Sequence, residues 1–103
     1  MELYHSPEAS LERLRQWISV RGTTMWYYHQ PMQKRGVSRI RILHIGMIGG
    51  KMVPHDISDT VAAACGVPKD RTTNTLLWAG TIHELKCRIE KCVGLEVDLL
   101  WIG

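Results

Sequence analysis

No apolar run in this 103-residue chain reaches the ~18 residues that a membrane-spanning helix requires. The N-terminus, Met1-Glu2-Leu3-Tyr4-His5, has neither the basic start nor the apolar stretch of a signal peptide. Cysteine is scarce: three residues, an odd number without paired spacing, which points to free thiols and an intracellular, cytoplasmic location in a reducing compartment. There is no internal repeat and no low-complexity tract. No serine sits in a Gly-x-Ser-x-Gly elbow. Gly46-Met47-Ile48-Gly49-Gly50-Lys51 has the wrong spacing for a phosphate loop and lacks the hydroxyl residue after lysine. These absences favour a non-enzymatic protein without a cofactor.

What is present is an ordinary globular composition, 45% apolar and 22% charged, enough for one modest core and too apolar for wholesale disorder. The net charge of +3 is uneven. Residues 1–41 hold seven Lys/Arg against three Asp/Glu, and residues 42–103 hold six against seven. A basic first half hints at an anionic partner.

Ser6-Pro7-Glu8 is a helix start: a capping hydroxyl, proline at the first helical position, and an acid at the positive dipole end. Leu11, Leu14, Trp17 and Ile18 then recur at helical spacing, which predicts an amphipathic helix over 7–20, ended by Gly22. Thr23 to His29 is β-branched and aromatic and reads as a strand, followed by a polar loop from Gln30 to Gly36. Arg39-Ile40-Arg41-Ile42 alternates, so the isoleucines share one face and the arginines the other, with Leu43 and Ile45 extending the strand. Gly49-Gly50 turns it into a second arm, Lys51 to Pro54. Asp56 or Ser58 caps a short helix through Val61, Ala62, Ala63 and Ala64, stopped by Gly66. Thr75 to Ala79 reads as a buried strand. Thr81 and Glu84 have capping-box spacing, and Ile82, Leu85, Ile89 and Val93 form the stripe of a helix ended by Gly94. Leu95 to Leu99 alternates as a final strand. The expected fold is α+β: a small mixed sheet with packed helices. Ile40, Ile42, Val61, Leu77, Ile82, Leu85, Ile89, Val97 and Leu99 are the expected core.

From Gly36 to Gly103, short strings occur in the order of a known fold. They are Gly50-Lys51 at the hairpin, Ser58-Asp59-Thr60-Val61 at a helix start, Gly66-Val67-Pro68-Lys69-Asp70 after it, and then Leu76-Leu77-Trp78-Ala79-Gly80. This segment resembles the ubiquitin-like β-grasp family. The resemblance implies a ubiquitin-like core over 36–103 preceded by a basic helix-and-strand extension over 1–35, the whole forming one compact domain. Only five residues separate Thr60 from Gly66, which makes the main helix about two turns shorter than in that family. The last residues, Trp101-Ile102-Gly103, lack a di-glycine tail, so the resemblance implies a ubiquitin-like module and not a conjugated modifier.

Three features carry candidate chemistry. Leu100, Trp101 and Ile102 make the final strand apolar on both sides, and an open strand there could pair with a second chain or another protein. Four tryptophans and five methionines are a heavy load for this length, and those left outside the core would mark such a patch. A protein partner or self-association is therefore the leading expectation. The alternative is electrostatic binding of nucleic acid, or of an anionic membrane surface, through Lys34, Arg35, Arg39 and Arg41, with Arg21, Trp26 and Tyr27 just upstream. Against it stands a solvated strand face with Trp26 and Tyr28 in the core. The third is a zinc or thiol site at His83 and Cys87, which share a helix face at i,i+4. Zinc would need a further ligand from Cys92, His55 or Cys65, none at a characteristic spacing. The ordinary role for Cys65, among Val61, Ala63, Ala64 and Val67, is that of a small core hydrophobe.

Overall fold

Ser6 closes the first turn of helix α1 (Pro7–Arg21) by accepting a hydrogen bond from the Ala9 amide at 3.1 Å, with Pro7 at the first helical position. The helix runs one residue past the expected end. Gly22 then adopts φ +92° while its N–H bonds the Ile18 carbonyl at 2.8 Å. The computed structural model describes residues 6–31, 38–66 and 82–103. Within them the elements continue as strands β1 (Thr24–Pro31), β2 (Ser38–Ile48) and β3 (Lys51–Asp56), helices α2 (Ser58–Cys65) and α3 (Ile82–Val93), and strand β4 (Asp98–Trp101). The expected strand at 75–79, the Thr81 cap and core residue Leu77 lie outside the described residues.

The strands form one four-stranded mixed sheet in the order β3-β2-β1-β4, so the fold is α+β. β2 is antiparallel to both β1 and β3, while β4 lies parallel to β1. Gly49 and Gly50 connect β2 and β3 with φ of +57° and +77°. Two consecutive positive φ angles are what a two-residue hairpin of matching twist needs, and glycine supplies them without steric cost. β1, from the N-terminal 35 residues, sits in the interior of the sheet between β2 and β4.

One sheet face carries Met25 and Tyr27 of β1, Ile40, Ile42 and His44 of β2, and Leu99 of β4, matched by register (Tyr27 opposite Ile42, Met25 opposite Leu99). Leu14 and Ile18 of α1, Val61 and Ala62 of α2, and Leu85, Ile89 and Val93 of α3 are buried in one cluster with residues of this face. Ile40, Ile42, Val61, Leu85, Ile89, Val97 and Leu99 are all buried as expected, and Ile82 packs against them half-buried.

Four expectations need correction. β1 reaches Pro31, because Gln30 and Pro31 still pair with Arg39 and Ser38; the loop therefore begins later than Gln30. Its phase is also the reverse of the one that would put Trp26 and Tyr28 in the core. Met25 is fully buried and Tyr27 packs on the cluster, while Trp26 and Tyr28 stand half-buried on the opposite face. Neither Asp56 nor Ser58 is the cap residue of α2; that position is Ile57, which has no capping side chain. Asp56 instead accepts from the Ser58 amide at 2.9 Å, and the Ser58 hydroxyl accepts from the Ile42 amide at 2.8 Å, tying the helix start to β2. Finally, β4 begins at Asp98 and not at Leu95. The first amide to reach β1 is that of Asp98, which donates to the Thr23 carbonyl at 3.1 Å, while the preceding Val97 amide is taken by the Glu90 carboxylate at 3.0 Å.

Candidate interaction surfaces

β4 is an edge strand: β1 takes one side of it, and no described strand lies on the other. The Ile102 amide donates to the Tyr27 carbonyl at 3.0 Å, which carries the parallel pairing one residue past the strand. Along this edge Leu100, Trp101 and Ile102 are 43%, 65% and 45% exposed, the three residues expected to contact a partner. Leu100 pairs with Trp26 and Trp101 with Tyr27, so alternation places these two on opposite faces of the sheet.

A second apolar group was not singled out in the sequence. Met47, Ile48 and Met52 are each about two-thirds exposed at the tip of the β2–β3 hairpin, with Val53 beside them. Met47 faces Met52 across the ladder. The available signal was the run Ile45 to Ile48 before Gly49-Gly50, where polar alternation stops just as the chain reaches a turn.

The structure divides the expected basic cluster. Arg39 and Arg41 of β2 share the face opposite the helices with Trp26, Tyr28 and Gln30 of β1, because Trp26 faces Leu43, Tyr28 faces Arg41 and Gln30 faces Arg39. No described helix covers that face. Both arginines are engaged within it. Arg39 Nε donates to Gln30 Oε1 at 2.8 Å. Arg41 holds Asp56 through Nε at 2.9 Å and Nη2 at 2.7 Å. Burial tends to raise the Asp56 carboxyl, yet hydrogen bonds from the Ser58 amide and hydroxyl and from Arg41 outweigh it and hold the group below its ordinary value. Arg41 Nη1 is buried without a hydrogen-bond partner among the described residues. Tyr27 lies on the helix-covered side, and Arg21 lies at the end of α1, where its Nη1 donates to His55 Nδ1 at 3.2 Å. Lys34 and Arg35 lie outside the described residues.

Around Arg21 stands a cluster that the sequence did not announce. His44 faces His55 across the β2–β3 ladder, and the Trp17 ring meets His55 edge-on with centroids 4.7 Å apart. His44 is fully buried and donates from Nε2 to the Gly22 carbonyl at 2.9 Å, leaving Nδ1 without a partner among the described residues. Burial lowers its basicity first, the bond to Gly22 works the other way, and Arg21 and His55 lower it further. His55 is likewise lowered by burial and by Arg21, against the opposing pull of Asp56.

His83 and Cys87 do share one face of α3, with Nε2 and Sγ 3.6 Å apart. Among the described residues no three His, Cys, Asp or Glu side chains converge to hold a metal ion, so no third zinc ligand joins this pair. No described helix is long and apolar enough to cross a membrane. No protein-family model matches the chain, and no match was found among curated proteins or solved structures.

Proposed function

We propose that this protein is a non-enzymatic interaction module that associates, with a second copy or with another protein, along the open edge of β4. The observation that carries this reading is the exposure of Leu100, Trp101 and Ile102 on an edge strand with no described strand beyond it. An unpaired strand edge supplies backbone donors and acceptors for a further strand, and exposed Trp, Leu and Ile supply the apolar area that makes such pairing favourable. The test is the mass of the full chain measured by sedimentation over a wide concentration range, beside Leu100→Lys and Trp101→Glu. Self-association predicts a mass that rises with concentration and falls back to the monomer in both variants. Their far-UV circular dichroism should stay native, because both side chains face solvent. A mass that stays monomeric at every concentration removes the self-assembly form and leaves the search to other protein partners.

The ubiquitin-like reading belongs with this proposal. In its support, a glycine-turned hairpin leads directly into a short helix, and the chain returns to the sheet with a parallel terminal strand. A distinctive feature is that β4 pairs with β1, drawn from the preceding segment, and not with the hairpin. An intracellular location is part of the same reading, resting on the free thiols.

A second reading, electrostatic capture of single-stranded nucleic acid, is favoured by one observation: Trp26, Tyr28, Arg39 and Arg41 share an outward sheet face. Binding that weakens steeply with salt and disappears in Arg39→Ala/Arg41→Ala would place it first. The Gln30 and Asp56 partners of these arginines argue that they are occupied within the sheet, which is why it stands second.

A further inference from the structure

All three cysteines of the chain border one surface depression. Cys65 at the end of α2 and Cys87 and Cys92 on α3 line a surface depression of about 430 Å³, together with Arg88 and Lys91. The three thiols are chemically unequal. Cys65 is half-buried against the core and hydrogen-bonded with Cys92; burial, then that bond, pushes its thiol well above the ordinary range. Cys92 is half-buried, and its thiol donates to the Ala64 carbonyl at 3.2 Å. Cys87 is exposed and has an imidazole nitrogen 3.6 Å from its sulfur.

The surroundings select a reagent. Lys91 stands one turn beyond Cys87 on the same helix face, and Arg88 reaches from the rim to the Gly66 carbonyl at 3.3 Å. Glu84 lies on the preceding turn, whereas Glu90 is held by Lys86 at 2.8 Å and is turned toward the Val97 amide. An exposed thiol with a base within reach, in a depression lined by two cations, is the setting of a reactive cysteine. Those cations also attract a reagent bearing carboxylates.

We propose that Cys87 is a thiol–disulfide exchange site for small disulfides that carry carboxylates. His83 Nε2 takes the Cys87 proton, and the thiolate attacks one sulfur of the incoming disulfide. The new Cys87 S–S bond forms as the reagent's own S–S bond breaks. The departing thiolate leaves with the proton from His83, and the disulfide itself is the oxidant. Cys65 and Cys92 stay reduced, being screened by burial and by their own hydrogen bonds.

The experiment treats the reduced full chain with glutathione disulfide, which is anionic, or with cystamine, which is cationic. Intact-mass spectrometry and peptide mapping follow the product, and rates are normalised to the same reagents acting on N-acetylcysteine. The expected product is one mixed disulfide on Cys87, absent in Cys87→Ser. The normalised rate should favour glutathione disulfide, with a preference that shrinks as salt rises and inverts in Lys91→Glu. His83→Gln should slow both reagents by roughly tenfold or more. First modification at Cys65 or Cys92 would overturn the proposal. So would a reagent preference unmoved by Lys91→Glu, or a rate unmoved by His83→Gln. These side chains are exposed, and unchanged circular dichroism of each variant shows that a lost rate is not lost folding.

Discussion

The protonation state of His44 bears on the stability of the fold. Its Nε2 bonds a carbonyl, which only accepts, so the proton sits on Nε2 and the buried Nδ1 is bare. Adding a proton to Nδ1 would bury an unpaired donor and a charge beside Arg21. His55 is tied in the same direction, because its Nδ1 accepts from Arg21 and cannot do so once protonated. Both folded-state values lie below the ordinary 6.5, so the unfolded chain takes up protons first. The stabilisation is therefore complete above about pH 6.5 and is lost as the pH falls through the lowered folded-state values. Urea midpoints should be flat above neutrality and decline below it. His44→Gln, which keeps a donor for Gly22 and removes the titration, should flatten that decline. A midpoint independent of pH across the histidine range would contradict this account.

At the scale of elements, periodicity made the helices legible. The apolar stripes of α1 and α3 each have one solution at 3.6 residues per turn, and Gly22, Gly66 and Gly94 are the residues that follow the ends of α1, α2 and α3. β2 was legible for the same reason, since arginine and isoleucine alternate. β1 was not. Thr24, Trp26 and Tyr28 on one side and Met25, Tyr27 and His29 on the other are both able to face a core. Pairing with β2 resolves the choice by setting Tyr27 opposite Ile42, on the face the helices cover. Met25→Ala should accordingly cost about 2–5 kcal/mol in chemical denaturation. Trp26→Ala, on the opposite face and half-exposed, should cost clearly less despite removing the larger side chain. The reverse ranking would mean that the strand is in the other phase. The start of α2 departs from expectation for a related reason. Ser58 has the identity of a cap, but its hydroxyl is used by the Ile42 amide across the fold, a partner that sequence distance hides. Ser58→Ala should leave that buried amide unsatisfied and cost about 1–3 kcal/mol, read from the same denaturation curves.

For the whole molecule, the arrangement of the sheet decides what can be removed. β1 hydrogen-bonds β2 on one side and β4 on the other, and residues of α1 and α2 share the buried cluster. A chain beginning at Gly36 would lose an interior strand, leave β4 without its partner and uncover Ile42 and Leu99. It should show no cooperative thermal transition. A sharp transition in that fragment would instead establish residues 36–103 as a body that folds alone.

Sequence by itself settled the α+β class, the amphipathic helices, the glycine-turned hairpin, most of the core and the apolar strip Leu100–Ile102. Each of these follows from nearest-neighbour chemistry, namely spacing, caps and turn geometry, which a linear chain carries openly. Tertiary structure alone decided the phase of β1, the central place of that strand, the histidine pair beneath Arg21 and the depression that Cys65 shares with Cys87 and Cys92. Those depend on which faces are covered and which strands lie side by side. Burial and the desolvation it imposes arise only when segments far apart in sequence exclude water from between them.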